Sequence, residues 1–481
     1  MKKIISVFLA IVLALLTSVS VYGAAEKEAN IPTVVVSGMN FAGLVIDKGT
    51  ENERSTLGEI NAGEIITTLA FGLLKTIVFM DTDGLTLSIF NYASDILKGY
   101  SCDEDGNSVY NVSTDSSYPL SAGNYTRFTE ADGTDWAETG VVVSCMEEFG
   151  ADHTYFYYYD WRLDPFDIAD GLNDMINLAM EEAGSDKVNI ICCSMGGVET
   201  LAYMTEYGTD KINSCIFLCS TVYGAYVVSD ILTGNIQMTD DAVMNFLYGL
   251  AEDGSALEGL LKFLQLIKLS DVLCSFAGGL VDNLKDGAFE YVLKPNFATM
   301  PVLWALVLPD EYEEAKEYCF GGEEEKYAKL IERADRLQEM MRNRDDMLKK
   351  AVNDGMKIAF VANYNSALVP VYPRATTQGD SVLETALMSG GATVSELGKT
   401  LDVPAGKYVS ADKAIDASTC LFPDYTWFVK DAPHIACRVD STYSDFIKYI
   451  ITSETQVTVT SNPLYPQFMY ADEGQNVYEL K

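Results

Sequence analysis

The run Val188-Asn189-Ile190-Ile191-Cys192-Cys193-Ser194-Met195-Gly196-Gly197 most constrains what this chain can fold into. Its apolar first half reads as a buried strand, Ser194 as a tight turn and Gly196 as the start of a helix. A serine at such a turn projects out of the fold with its hydroxyl free. The usual pattern for that device is G-x-S-x-G. Here it is C-x-S-x-G, with Cys192 where the first glycine belongs. The position two before the serine is crowded, so a thiomethyl group there can strain the turn, although Ala or Ser is tolerated at such positions and Cys is only slightly larger.

The flanking pattern places this turn in a layered α/β fold. Thr33–Val36 reads as an early strand, followed by Ser37-Gly38-Met39-Asn40, and Tyr155–Tyr159 reads as an aromatic strand. A helix is predicted from about 167 to 182, because Ile168, Leu172, Met175, Ile176 and Ala179 keep helical spacing. Further strands are expected at 215–218, 357–362 and 425–429, and a last helix at 444–451. Strands alternating with amphipathic helices indicate a mostly parallel sheet with helices on both faces. The tail from Thr455 reads as an edge ribbon.

Two stretches break the alternation. Residues 50–140 are mixed, with an apolar helical segment near 65–79, and read as an insertion on the sheet. Within them Asp81-Thr82-Asp83-Gly84 lacks the remaining ligand positions of a calcium loop and reads as a plain turn. Residues 230–350 look helical throughout. Phe246–Leu280 is leucine-rich, and Glu323–Val352 carries an apolar seam that needs a partner surface. The expected organisation is a leader at 1–24, a first core part at 25–221, a helical cap at 222–355 and a second core part at 356–481. The leucine-rich face of the cap suits either core packing or an acyl chain.

The leader assignment rests on Lys2 and Lys3, the apolar run Ile4–Leu16 and the small residues of Val21-Tyr22-Gly23-Ala24-Ala25, a bacterial-type secretory signal. No second spanning segment is recognisable, so a secreted protein with no membrane anchor is expected. The net charge is −37, and it becomes two units more negative without Lys2 and Lys3. Such a field repels nucleic acid and anionic membranes, so no nucleic-acid partner is expected. Neutral and zwitterionic substrates remain open. The ten cysteines permit disulfides in a secreted chain. Cys192, Cys193, Cys215 and Cys219 lie in apolar strands and read as buried small hydrophobes. Cys102, Cys145, Cys274, Cys319, Cys420 and Cys437 are available to pair, with a connectivity the sequence does not specify. With two histidines and no C-x-x-C pair, no metal site is expected, and no cofactor is called for.

A serine hydroxyl needs a base. The strand–serine–helix turn resembles the nucleophile elbow of α/β-hydrolases, in which an acid follows the serine and a histidine comes last. Of His153 and His434, only His434 follows Ser194, and it lies in Lys430-Asp431-Ala432-Pro433-His434, just past the last predicted strand. His153 precedes a strand and reads as structural. The acid belongs on the loop after the 357–362 strand. There Gly379-Asp380-Ser381-Val382 makes Asp380 the first choice, with Asp412 and Asp416 as alternatives. In the plainer reading Asp380 only caps a helix beginning at Ser381. Two backbone donors are needed for the oxyanion, and the Met195 and Met39 amides are the candidates.

The motif Tyr159-Asp160-Trp161-Arg162-Leu163-Asp164-Pro165, an S-x-G-G elbow one helix later and V-x-G after the first strand resemble lecithin:cholesterol acyltransferase and its phospholipase relatives. That resemblance implies an α/β-hydrolase fold and attack of the serine on a lipid ester, with acyl transfer to water or an alcohol acceptor. It implies Ser194, Asp380 and His434 as the triad, and puts Phe297–Leu308 in the cap. The alternative is a catalytically silent relative that binds a lipid or a protein, which the Cys192 substitution favours.

Overall fold

The structure, a computed structural model, describes residues 31–39, 43–56, 94–95, 97–114, 117–131, 137–237, 239–249, 287 and 289–481. The expected leader, the helix near 65–79, the Asp81–Gly84 turn, Cys274 and most of the leucine-rich stretch lie outside these residues.

A central sheet carries eight strands: β1 (Thr33–Val36), β2 (Thr154–Tyr157), β3 (Val188–Cys193), β4 (Ile212–Leu218), β5 (Lys357–Tyr364), β6 (Thr426–Lys430), β7 (Phe468–Ala471) and β8 (Val477–Glu479). Their order is β8-β7-β6-β5-β4-β3-β1-β2, and every pair is parallel except β7–β8. Val35 of β1 lies opposite both Phe156 of β2 and Ile191 of β3. Every residue of β3 is buried, Asn189 included, as expected of a parallel strand covered on both faces. The tail supplies β7 and its antiparallel partner β8, the expected edge ribbon. A separate three-stranded antiparallel sheet joins residues 44–46, 54–55 and 112–114.

The sheet is covered by α1 (Ala137–Phe149) paired with α9 (Thr442–Thr452), and by α2 (Pro165–Ala183) paired with α3 (Gly196–Tyr207). Helix α2 begins two residues before the periodic apolar positions imply. Asp164 caps it by accepting from the Phe166 amide, and Pro165 occupies its first turn, where no amide is needed.

Between β4 and β5 the chain forms α4 (Tyr226–Leu232), α5 (Asp240–Gly249), a helix at Phe289–Ala298, α6 (Pro301–Leu306), α7 (Tyr312–Phe320) and α8 (Ala328–Asn353). The seam of α8 buries Leu330, Ala334, Leu337, Met341 and Leu348, and its partners are α6 and α3. Gln338 is buried within that seam. Its Nε2 donates to the carbonyls of Trp304 and Val307 and so satisfies the end of α6. The helical block is therefore tied to the helix that follows Ser194.

The Tyr159–Pro165 motif folds as a buried anchor. The Trp161 ring packs on Tyr100. Arg162 is fully buried, paired with Asp160 at 2.6 Å, and donates to Ser108 Oγ and the carbonyls of Gly99 and Tyr100. A guanidinium removed from water needs that many acceptors. The cysteines expected to be free to pair are not paired: Cys102, Cys145, Cys319, Cys420 and Cys437 are buried thiols, as are Cys192, Cys193, Cys215 and Cys219. Among the described residues no helix is long and apolar enough to cross a membrane.

Candidate active site

Ser194 stands between β3 and α3 with φ +50°, a strained backbone conformation for a side chain other than glycine. The strain is held from β4. Ser194 N donates to Leu218 O, and Ser194 O accepts from Thr221 N at 3.0 Å and Ser220 Oγ at 2.7 Å. The glycines after the serine are required by space. A Cβ on Gly196 would lie 2.6 Å from Val36 O and 2.8 Å from Ser37 O, and one on Gly197 would lie 2.2 Å from Ser220 Oγ. Cys192, in place of the usual first glycine, is fully buried, and its thiol donates to Ile216 O of β4 at 3.2 Å.

Asp380 and His434 meet at the ends of neighbouring strands. His434 Nδ1 lies 2.6 Å from Asp380 Oδ2. Asp380 is fully buried, and its Oδ1 accepts from the amides of Val382 and Leu383. The aspartate thus makes the local turn expected of a cap and also reaches the histidine. The next helical turn starts at Thr385 and not at Ser381. Burial disfavours the His434 imidazolium, but the Asp380 carboxylate outweighs it and raises the pKa above the ordinary 6.5; Glu138, when ionised, pulls the same way.

His434 Nε2 is buried and hydrogen-bonds to no described protein atom, Ser194 included. Ser194, Asp380 and His434 follow β3, β5 and β6, so all three stand at the carboxyl edge of the parallel sheet. Cys219 directly follows β4, whose last residue Leu218 accepts from the Ser194 amide, and its Sγ lies within 4.8 Å of the Asp380 and His434 ligand atoms.

The loop after β1 forms another wall. A Cβ on Gly38 would lie 2.7 Å from Ser194 Cβ and 3.2 Å from Glu138 Oε1, so bare glycine backbone separates the serine from that carboxyl group. Gly38 N donates to Glu138 Oε1 at 2.6 Å, and Tyr159 OH donates to Ser37 O at 2.6 Å. Neither the Met39 nor the Met195 amide has an acceptor among the described residues, which leaves both candidate oxyanion donors available.

No family model and no curated protein matches this chain in sequence. Among solved structures, a chain from the crystal structure of the Tle4–Tli4 complex is similar over 69% of this chain and 75% of its own, at 9% identity and a TM-score of 0.32. A likeness that distant is no basis for assigning an activity.

The remaining candidates are engaged elsewhere. Asp412 pairs with Lys430 at 2.9 Å and accepts from Tyr364 OH and Ser410 Oγ, while Asp416 caps a short turn through Ser418 N. His153 closes a single turn ahead of β2. Cys219, Asp380 and His434 offer sulfur, oxygen and nitrogen as a trio, but the 2.6 Å Nδ1–Oδ2 separation is that of a hydrogen bond. Two such ligands on one tetrahedral zinc stand roughly 3.3 Å apart.

Two supporting residues escape a reading of the sequence. Asn363, buried on β5, donates from Nδ2 to Pro433 O at 2.7 Å and accepts from Tyr443 OH at 3.0 Å, which tethers the His434 loop. Glu138, in the first turn of α1, reaches back to Gly38. Neither carries a local sequence signal, because each acts on a distant segment.

Proposed function

We propose that this chain is a secreted serine hydrolase or acyltransferase of the α/β-hydrolase kind, acting on carboxylic esters and on lipid esters in particular. Ser194 is the nucleophile, His434 the base and Asp380 the acid that orients it. The observation that carries this reading is the 2.6 Å Asp380–His434 hydrogen bond at the sheet edge that also bears Ser194 on a strained turn. The strand order, with the serine after the interior strand β3, supports the fold assignment.

In this reading Asp380 fixes the proton on His434 Nδ1, so Nε2 is the basic nitrogen. Nε2 takes the proton of Ser194 Oγ as Oγ bonds to the ester carbon. The amides of Met39 and Met195 stabilise the oxyanion. The C–O bond to the leaving alcohol breaks, and His434 returns the proton to that alcohol. Water or an acceptor alcohol, deprotonated by His434, then attacks the acyl-enzyme and restores Ser194. No cofactor enters these steps.

The preference for lipids draws on the Tyr159–Pro165 motif, and secretion draws on the composition of residues 1–24. The second reading, a silent relative that binds a lipid or a protein, draws on Cys192. Its force is reduced because the Cys192 thiol is accommodated by Ile216 O. Product analysis on a panel of simple esters and phospholipids, with and without an alcohol acceptor, separates the possibilities. Released fatty acid means hydrolysis and a new ester means transfer. Absence of both, in wild type and Ser194→Ala alike, favours the silent relative.

A further inference from the structure

The buried carboxyl group of Glu138 is the feature of this site that the proposed chemistry leaves unused. It reaches from α1 to a turn 100 residues earlier in the chain, and both its oxygens are engaged there: Oε1 accepts from Gly38 N at 2.6 Å, and Oε2 lies 3.1 Å from Ser37 Oγ. Ser37 Oγ also lies 3.1 Å from Gly38 O. A hydroxyl carries one proton and donates once. Its proton can go to Glu138 Oε2 or to Gly38 O but not to both. An Oε2 that carries its own proton can donate to Ser37 Oγ and leave the hydroxyl proton for Gly38 O, so the neutral acid satisfies both contacts at once.

Placement argues the same way. Gly38 backbone lies between Glu138 and Ser194 Cβ, so a negative charge on Glu138 would face the oxyanion as it develops. A neutral acid supplies the same hydrogen bonds without that opposition.

We propose that Glu138 is a neutral-acid clamp on the oxyanion loop, a positioning residue that holds Ser37–Gly38 so that the following Met39 amide meets the reacting carbonyl oxygen. The inference rests on the serine-hydrolase reading. Burial, which pushes the Glu138 carboxyl up, agrees with it. His434 across the site and Arg127 on the short helix Thr126–Thr129 are the charged groups that pull the other way, and the neighbouring Tyr159 and Cys193 are neutral. Tyr159 OH grips the same turn from the opposite side through Ser37 O.

The test uses the full chain, p-nitrophenyl butyrate as substrate and a phenylboronic acid, whose tetrahedral adduct fills an oxyanion hole, as inhibitor. In Glu138→Gln the side-chain carbonyl accepts from Gly38 N and the NH2 donates to Ser37 Oγ. Its kcat should stay within about threefold of wild type across about pH 5 to 9. Glu138→Asp withdraws the carboxyl group by one methylene, and Glu138→Ala removes it. Both should lower kcat by about 10- to 100-fold and weaken boronic acid binding by a similar factor, with KM within about twofold of wild type.

Wild-type kcat in the Asp and Ala variants would overturn the clamp, and a Gln variant as slow as the Asp variant would overturn its neutrality. Should Glu138→Ala fail to fold by thermal melting, the Asp and Gln variants decide. Turnover that is absent in wild type, or unchanged in Ser194→Ala, is a separate result that overturns the serine-hydrolase reading and this inference with it.

Discussion

His434 Nδ1 and Asp380 Oδ2 lie 2.6 Å apart across 54 residues of sequence, and the other oxygen of that carboxylate is filled by the amides of Val382 and Leu383. The aspartate is held from its own loop, so it orients the imidazole and leaves Nε2 as the nitrogen with an open lone pair.

That pairing sets the pH dependence. Asp380 stabilises the protonated ring more than burial destabilises it, so the His434 pKa lies above 6.5. In the proposed mechanism His434 acts as a base only when neutral, so turnover should rise with pH through a midpoint above 6.5 and fade below it. Asp380→Asn should lower kcat by about 10⁴-fold and move the limb to lower pH. His153→Ala should change neither. A wild-type profile flat across this range would contradict the assignment of His434.

Asn363 should matter although it touches no substrate. Asn363→Ala frees the Pro433 carbonyl and leaves Tyr443 OH without its acceptor. The expected cost is about 1–3 kcal/mol of stability by denaturant melt. A fall in kcat of about tenfold should accompany it as the His434 loop drifts. Unchanged stability and turnover would remove the tether from the account.

Gly196 is a packing requirement. In Gly196→Ala the new methyl group meets the rigid carbonyls of Val36 and Ser37. A loss of about 3 kcal/mol or more is expected, together with loss of activity. Gly184→Ala, at φ +65° with open space around it, should cost only about 1–2 kcal/mol and leave activity intact. Equal melting curves for the two variants would show that the close approach of β1 to the elbow is wrong.

Cys192 should not be what limits this site. Its thiol is buried and bonded to Ile216 O, so Cys192→Gly restores the common motif but removes packing. Stability should drop by about 1–2 kcal/mol, with kcat changed by no more than about threefold. A large gain in kcat would show that the thiol strains the elbow after all.

How much of this was legible beforehand follows from how local each signal is. The strand, turn and helix around Ser194 are contiguous and depend on apolar pattern and glycine placement. His434 was reachable because the chain has only two histidines and one precedes the serine. Asp380 was reachable through Gly379, though its reading as a cap and as a partner of His434 looked exclusive; its two oxygens serve both. Glu138 was invisible, since a single acid in the first turn of a helix carries no mark of burial. Asn363 carries no local signal either, because its role is set by where the β5–β6 pairing brings Pro433. The Tyr159–Pro165 motif signalled a relationship, but that Arg162 is an interior anchor and Tyr159 a support for Ser37 emerged only in three dimensions. Cysteine count and compartment do not determine burial, so the sequence alone leaves disulfides open.

The most direct measurement is covalent labelling of the full chain with a fluorophosphonate, followed by peptide mapping. Wild type should carry one adduct, on Ser194, forming faster as His434 deprotonates, and Ser194→Ala and His434→Ala should stay unlabelled. Equal labelling of wild type and Ser194→Ala, or none of wild type at alkaline pH, would contradict the account.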